Sequence, residues 1–250
     1  MSIPIEIDDF DLDGFSAVAR DFGETRYGYV VTANTDQLIR YHDDPNFRKL
    51  YGDAAYVVFD SRFLANWLAL TRNLRLKVCP GSDLTARILA HVSRPTDTIV
   101  VVGGSAAQAE RLRARFALER LHHFDPPMGF VNDPSALEQC LRAIEAASPF
   151  RFCFLAVGSP QQEVVAQRLK ARGAARGLAF CVGASVNYLT GVERRAPEWL
   201  QRAGFEWVYR MMNNPRRMAK RYLLRGPRIF QLLTAFDFRV RPPLPADGGS

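Results

Sequence analysis

An α/β protein with a mostly parallel sheet is predicted, with helices on both faces and a basic helical appendage at the C-terminal end. Three observations predict it. Short apolar runs alternate with helical patterns at least five times. Most of those runs are continuously apolar rather than alternating, as strands buried on both faces require. The third is charge. The chain carries 33 Lys/Arg against 26 Asp/Glu, and all of the excess lies between Arg194 and Arg228, where ten basic residues meet only Glu198 and Glu206.

Taken in order, Tyr27–Ala33 (YGYVVTA) is the first strand, with Asn34 at its end. Residues 36–50 read as a helix that Pro45 kinks or breaks. Ala54–Phe59 (AAYVVF) is the next strand and ends on Asp60, and residues 63–70 form a buried helix. Leu74–Val78 (LRLKV) alternates as a hairpin or edge strand would, and Ser82-Asp83-Leu84 is an N-cap pattern for a helix reaching about Val92. Thr98–Val102 (TIVVV), Gly103-Gly104-Ser105 and a helix over 106–120 make a strand–turn–helix unit. Residues 121–130 read as a short strand and a loop, and Pro134 is well placed to start a helix. Phe150–Val157 is a buried strand leading through Gly158-Ser159-Pro160 into a helix, and Leu178–Val182 reads as the last strand. The pattern predicts a Rossmann-like α/β/α core over residues 1–191, a basic aromatic helical appendage over 192–240 and a disordered tail over 241–250.

Composition narrows the setting. No stretch approaches 18 uninterrupted apolar residues, and the acidic start MSIPIEIDDFDLDG lacks the form of a secretory signal. The four cysteines (Cys79, Cys140, Cys153, Cys181) lack CxxC spacing, and Cys153 and Cys181, within apolar runs, read as reduced core thiols, from which a cytoplasmic location is expected. His42, His91, His122 and His123 lack ligand spacing, and the lone DxD, Asp11-Leu12-Asp13, reads as solvated. No metal site is expected.

Ligands of open parallel sheets bind beyond the carboxyl ends of the strands. Asn34, Asp60, Gly103-Gly104, Gly158–Glu163 and Gly183–Asn187 all fall there. Each has two readings. The two glycine–serine turns are either diphosphate cradles or ordinary capped turns. Asp60 is either a desolvated general base or the N-cap of the following helix, and Asn34 has the same ambiguity. Glu163 in a first helical turn favours the dipole, whereas Gln161 or Gln162 suits a sugar or base edge. The basic segment, with Trp199, Trp207, Tyr209, Met211, Met212 and Tyr222 in it, suits nucleic acid, an anionic membrane or a phosphorylated ligand.

The motifs TANTDQL (32–38), PGSDL (80–84), VVVGG (100–104), VGSPQQE (157–163), VGASVNYLTGVERRAPEWL (182–200) and FEWVYRMMNNPRRMAKRY (205–222), with the strand ending in Asp60, resemble the WecG/TagA/CpsF family of bacterial glycosyltransferases. The resemblance implies an inverting, metal-independent transfer without cofactor, from a UDP-sugar donor to a saccharide on a polyprenyl diphosphate at the cytoplasmic membrane face, in the synthesis of surface polysaccharides. It implies Asp60 as the base that takes the acceptor proton, Asn34 beside it, and Gln162 as the glutamine of an SPxQE motif. Donor-binding residues are then expected among Gly103, Gly104, Gly158, Ser159, Gln161, Gln162, Glu163, Gly183 and Asn187. Family models dock the appendage on the anionic inner membrane surface and bring its arginines to the diphosphate; Arg195, Arg210, Arg216, Arg217 and Arg221 are the expected set. Self-association is common in the family, and nucleic acid is not an expected partner. Departures at Ala33, Ser61 and Asn187, where the family usually has proline, glycine and a carboxylate, imply a changed donor or acceptor choice. A nucleotide-binding relative without catalysis is the alternative.

Overall fold

A computed structural model describes residues 2–213 and 226–242. Six parallel strands form the central sheet: β2 (Tyr27–Ala33), β3 (Tyr56–Phe59), β4 (Thr98–Val102), β5 (Arg120–Phe124), β6 (Phe152–Leu155) and β7 (Gly177–Cys181), in the order β3-β2-β7-β6-β4-β5. Two further strands, β1 (Ile3–Asp8) and β8 (Phe236–Arg241), pair in parallel as a separate ribbon.

The continuous apolar runs have their explanation in burial on both faces. Successive residues of β6 and β7 divide between two cores: Cys153, Leu155, Ala179 and Cys181 on one side, Phe152, Phe154, Leu178 and Phe180 on the other. Phe154 stacks on Phe180 with ring centroids 5.4 Å apart, which fills the second face with aromatic surface. Helix starts follow local chemistry. Asp44 with Pro45, Asp133 with Pro134, and the Ser105–Gln108 capping box satisfy first-turn N–H groups. Pro45 does break the helix after β2, into Thr35–Asp43 and Pro45–Gly52.

Four expectations need correction. The strands do not stop at β7. β8 comes back from the C-terminal end to pair with β1, in which Ile3, Ile5 and Ile7 alternate along the acidic N-terminal segment and face the core. Asp8 closes this ribbon onto the main sheet: its Oδ2 accepts the Val57 N–H at 2.7 Å and an Arg241 N–H at 2.8 Å. Leu74–Val78 forms no strand; the extended segment is held by Cys79 N–H to Phe59 O and Lys77 N–H to Asp9 Oδ1. The helix at 81–87 starts after Pro80 with no side-chain cap, so Ser82 is not its N-cap. The helix from Ala106 stops at Phe116, well before residue 120, with Ala117 in the left-handed region. Asp11 caps the helix at 12–21 through Gly14 N–H, and Asp13 pairs with Arg87. All four cysteines are free and buried.

Gly177 enters β7 at φ +123°, where a Cβ would lie 1.9 Å from the Phe150 carbonyl oxygen. Gly177→Ala should therefore destabilise the protein by about 3 kcal/mol or more. Urea unfolding of the two proteins side by side measures it.

Candidate active site

The carboxyl ends of β2, β3, β6 and β7 open into one cavity of about 550 Å³. Asn34, Asp60, Gly158, Ser159, Gln162 and Gly183 line it, together with Thr32, Arg40, Arg62, Tyr188, Glu206, Trp207 and Arg210. Parallel register brings the first two together: Ala33 pairs with Phe59, so Asn34 and Asp60 leave adjacent strands at the same level. The Asp60 N–H bonds to Ala33 O at 2.9 Å, which extends the ladder by one residue and fixes where the carboxylate emerges.

Ser61 resolves the ambiguity at Asp60. Its Oγ accepts the Leu64 N–H at 3.2 Å and caps the helix over Arg62–Arg72. The N-cap reading of Asp60 is thus wrong, and its carboxylate is left to face the cavity. Burial pushes Asp60 up to about 7; the Gly81 backbone N–H and Arg210 oppose the rise, while Glu206 and Asp83 add to it. A carboxyl group with that value is half ionised near neutrality and suits proton abstraction. Asn34 is a cap: Oδ1 accepts the N–H groups of Asp36 at 3.1 Å and Gln37 at 3.3 Å, and Gln37 closes the capping box. It lines the cavity with its donor atoms spare for other work.

Other expected residues fall into three groups. Gly158, Ser159, Gln162 and Gly183 face the cavity, and Gln162 Oε1 holds the Gly183 N–H at 2.8 Å. Gly103, Gly104, Gln161, Glu163, Asn187 and Arg195 are not among its lining residues. For Gly103 and Gly104 the reason is packing of the turn. A Cβ on Gly103 would lie 3.0 Å from Ala156 O, and one on Gly104 3.3 Å from Gln108 Oε1. Ser105 caps the next helix with Gln108, so this unit is a capped turn. Asn187 accepts from Gln108 Nε2 at 2.9 Å and donates to Glu193. Arg195 pairs with Asp83, which Arg62 also meets at 3.3 Å. Glu163 is fully buried beneath the rim. Arg216, Arg217 and Arg221 lie outside the described residues.

The C-terminal segment reaches the cavity through aromatic packing. Phe63 meets Trp207 at 6.3 Å and Phe230 at 6.0 Å, and Trp67 meets Phe230 at 4.6 Å. Gly204, at φ +81°, lies so close that a Cβ would be 3.0 Å from Phe63 N. This seating delivers Glu206 and Arg210 to the cavity, with the Arg210 guanidinium over the Tyr188 ring at 5.6 Å. Arg40, Thr32, Tyr188 and Glu206 escaped the sequence reading. Thr32, Tyr188 and Glu206 carried a signal, since they lie in the motifs at 32–38, 182–200 and 205–222; Arg40 needs the folded geometry. Among the described residues no group of three His, Cys, Asp or Glu is placed to hold a metal ion.

An open parallel sheet gathers a buried carboxylate and an arginine in one cavity at its C-terminal edge, the usual place of a ligand site in this class of fold. The chain matches the model of the glycosyl transferase WecG/TagA/CpsF family over residues 2–241 and belongs to that family; it is a glycosyltransferase.

The charges around Asp60 set the sign of its tuning. Arg210→Ala should raise its pKa above about 7 and Glu206→Gln should lower it. Carbon-13 carboxyl titration by NMR reads both. A raised folded pKa means that the stabilising contribution is complete below the ordinary value of 3.8 and is lost as pH rises through about 7. Asp60→Asn should accordingly gain thermal stability over the wild type at pH 8, with the difference shrinking as pH falls through about 7 and vanishing only below 3.8.

Proposed function

We propose that the protein transfers a sugar, with inversion, from a UDP-sugar to a saccharide carried on polyprenyl diphosphate, in bacterial surface-polysaccharide synthesis. The observation that carries this reading is the placement of Asp60: a carboxyl poised near pH 7 inside a cavity that also holds Arg210. The Asp60 carboxylate takes the proton of the acceptor hydroxyl as its oxygen bonds to the anomeric carbon. On the opposite side the bond from that carbon to the diphosphate oxygen breaks, and the nucleoside diphosphate leaves with the electron pair. Negative charge grows on the leaving group, and Arg210, with Arg40 from the helix after β2, supplies the opposing charge without a metal ion or other cofactor. Gln162, Ser159 and the backbone at Gly158 and Gly183 offer polar contacts for the donor.

A lipid-linked acceptor calls for a protein that sits on the anionic inner face of the plasma membrane. The exposed apolar groups support this. Trp199 is 68% and Met212 73% exposed, on a segment rich in basic residues. No helix among the described residues is long and apolar enough to cross a membrane, in keeping with peripheral attachment. Self-association, common among relatives, would present several such surfaces together.

Asp60→Asn should abolish transfer, measured with a panel of UDP-sugars and a synthetic polyprenyl-diphosphate acceptor, while donor binding by calorimetry persists. Near-normal turnover of this variant would refute Asp60 as the base. In the wild type kcat/KM should rise with pH to a plateau above about 7. Sedimentation with anionic vesicles should fall when Trp199 and Met212 are both changed to serine, and binding of the unaltered protein to neutral vesicles should be weaker, since each basic residue near such a surface contributes about 1 kcal/mol.

A further inference from the structure

Glu163 is the most deeply buried acid of the described chain, at 0% exposure, and it makes no ion pair with any described residue. Its carboxyl is instead a junction between three loops of the cavity rim. Oε1 accepts from Gln162 Nε2 at 2.9 Å and from Gln37 Nε2 at 3.3 Å. Each glutamine then holds a backbone amide on a different strand end with its own oxygen: Gln37 Oε1 the Asn34 N–H after β2 at 3.0 Å, and Gln162 Oε1 the Gly183 N–H after β7 at 2.8 Å. Gln162 and Ser159 belong to the loop and helix after β6. One carboxyl oxygen thus ties together three chain segments that line the cavity.

The other oxygen is the informative one. Oε2 is buried with no hydrogen-bond partner, and the Ser159 hydroxyl, which lies beside the carboxyl, also has none fully formed. A carboxylate here would be a buried charge with no cation beside it among the described residues. Tyr29 from β2, Tyr51 from the helix over Pro45–Gly52 and Cys181 from β7 face it from the surrounding elements, and none of them is a cation. A carboxylic acid carrying its proton on Oε2 has a donor where the hydroxyl offers an acceptor.

We propose that Glu163 is a positioning residue that works as an uncharged carboxylic acid: its Oε1 anchors Gln37 and Gln162, and through them Asn34 and Gly183, while its Oε2–H donates to Ser159. Desolvation by burial raises its pKa, and hydrogen bonds from Gln162, its own backbone N–H and Gln37 offset part of that rise, in keeping with the proton being held. The role for the donor side of the cavity rests on the transferase reading above; the junction itself does not.

The variants Glu163→Gln and Glu163→Ala test it in the full-length protein. Glutamine keeps an acceptor at Oε1 and puts an N–H donor where Oε2–H stood, so hydrogen exchange at the Asn34 and Gly183 amides should stay as slow as in the wild type. Alanine frees both glutamines, and exchange at both amides should accelerate together. In transfer assays Glu163→Gln should recover most of the kcat that Glu163→Ala loses, a loss of about tenfold or more. Thermal stability should also separate them. The wild type loses the contribution of this acid as pH rises through its raised pKa, whereas Glu163→Gln has no proton to lose and should fall less on the alkaline side. If glutamine proves as disruptive as alanine, or if alanine leaves the two amides unchanged, the proposal fails. Should Glu163→Ala not fold, carboxyl NMR of the wild type decides: ionisation of Glu163 in the ordinary carboxylate range overturns the proposal, and a proton retained at neutral pH supports it. Absence of transfer by the wild type, with the exchange pattern intact, would count against the transferase reading and leave the junction standing.

Discussion

A parallel sheet buried on both faces leaves only its two ends in contact with water, and the rest of this molecule follows from that constraint. Most side chains along β2, β4, β6 and β7 are committed to two apolar cores, and only Thr32, near the end of β2, reaches the cavity. Polar groups collect at the carboxyl ends, where each strand stops and the next helix begins. Register then decides which of them meet. Because Ala33 pairs with Phe59, the residues that follow, Asn34 and Asp60, emerge together.

Asp60 leaves an apolar strand, and one backbone donor and an arginine only partly oppose its desolvation, so its pKa stays raised, to about 7. Two acids of the C-terminal edge take different courses. Asp60 sits in the cavity with charges around it. Glu163 sits beneath with amides around it, and its oxygens organise other side chains rather than a ligand.

The C-terminal segment is joined to the core by two different kinds of contact. Phe63, Trp67, Trp207 and Phe230 form an aromatic seam at the cavity mouth. Farther out, Arg228 grips Asp43 through both its terminal nitrogens, Arg72 reaches the carbonyls of Leu233 and Phe236, and β8 zips onto β1. Two positive charges of the basic segment are thereby spent on the core: Arg195 on Asp83 and Arg228 on Asp43. A charge run that reads in sequence as one surface is divided in the folded chain between structure and site.

The sequence by itself determined the layers and most of the edge. Continuous apolar runs with β-branched and aromatic residues specify buried parallel strands, and glycine, proline and small polar residues mark where they end. Asn34, Asp60, Gly158, Ser159, Gln162 and Gly183 were legible as edge residues for that reason alone. What the sequence left open was every choice between neighbours. Ser61, one residue on, caps the helix that Asp60 was a candidate to cap; Ser105 and Gln108 close a turn that two glycines only seemed to leave for a ligand. β1 and β8 lie more than 200 residues apart; each alternates in sequence, as IPIEID and FDFRVR, but only the fold shows that they pair. Hydrogen bonds and burial are properties of pairs, and the partner of Glu163, of Asp8 or of Arg195 is named only when the chain folds and brings distant residues within about 3 Å.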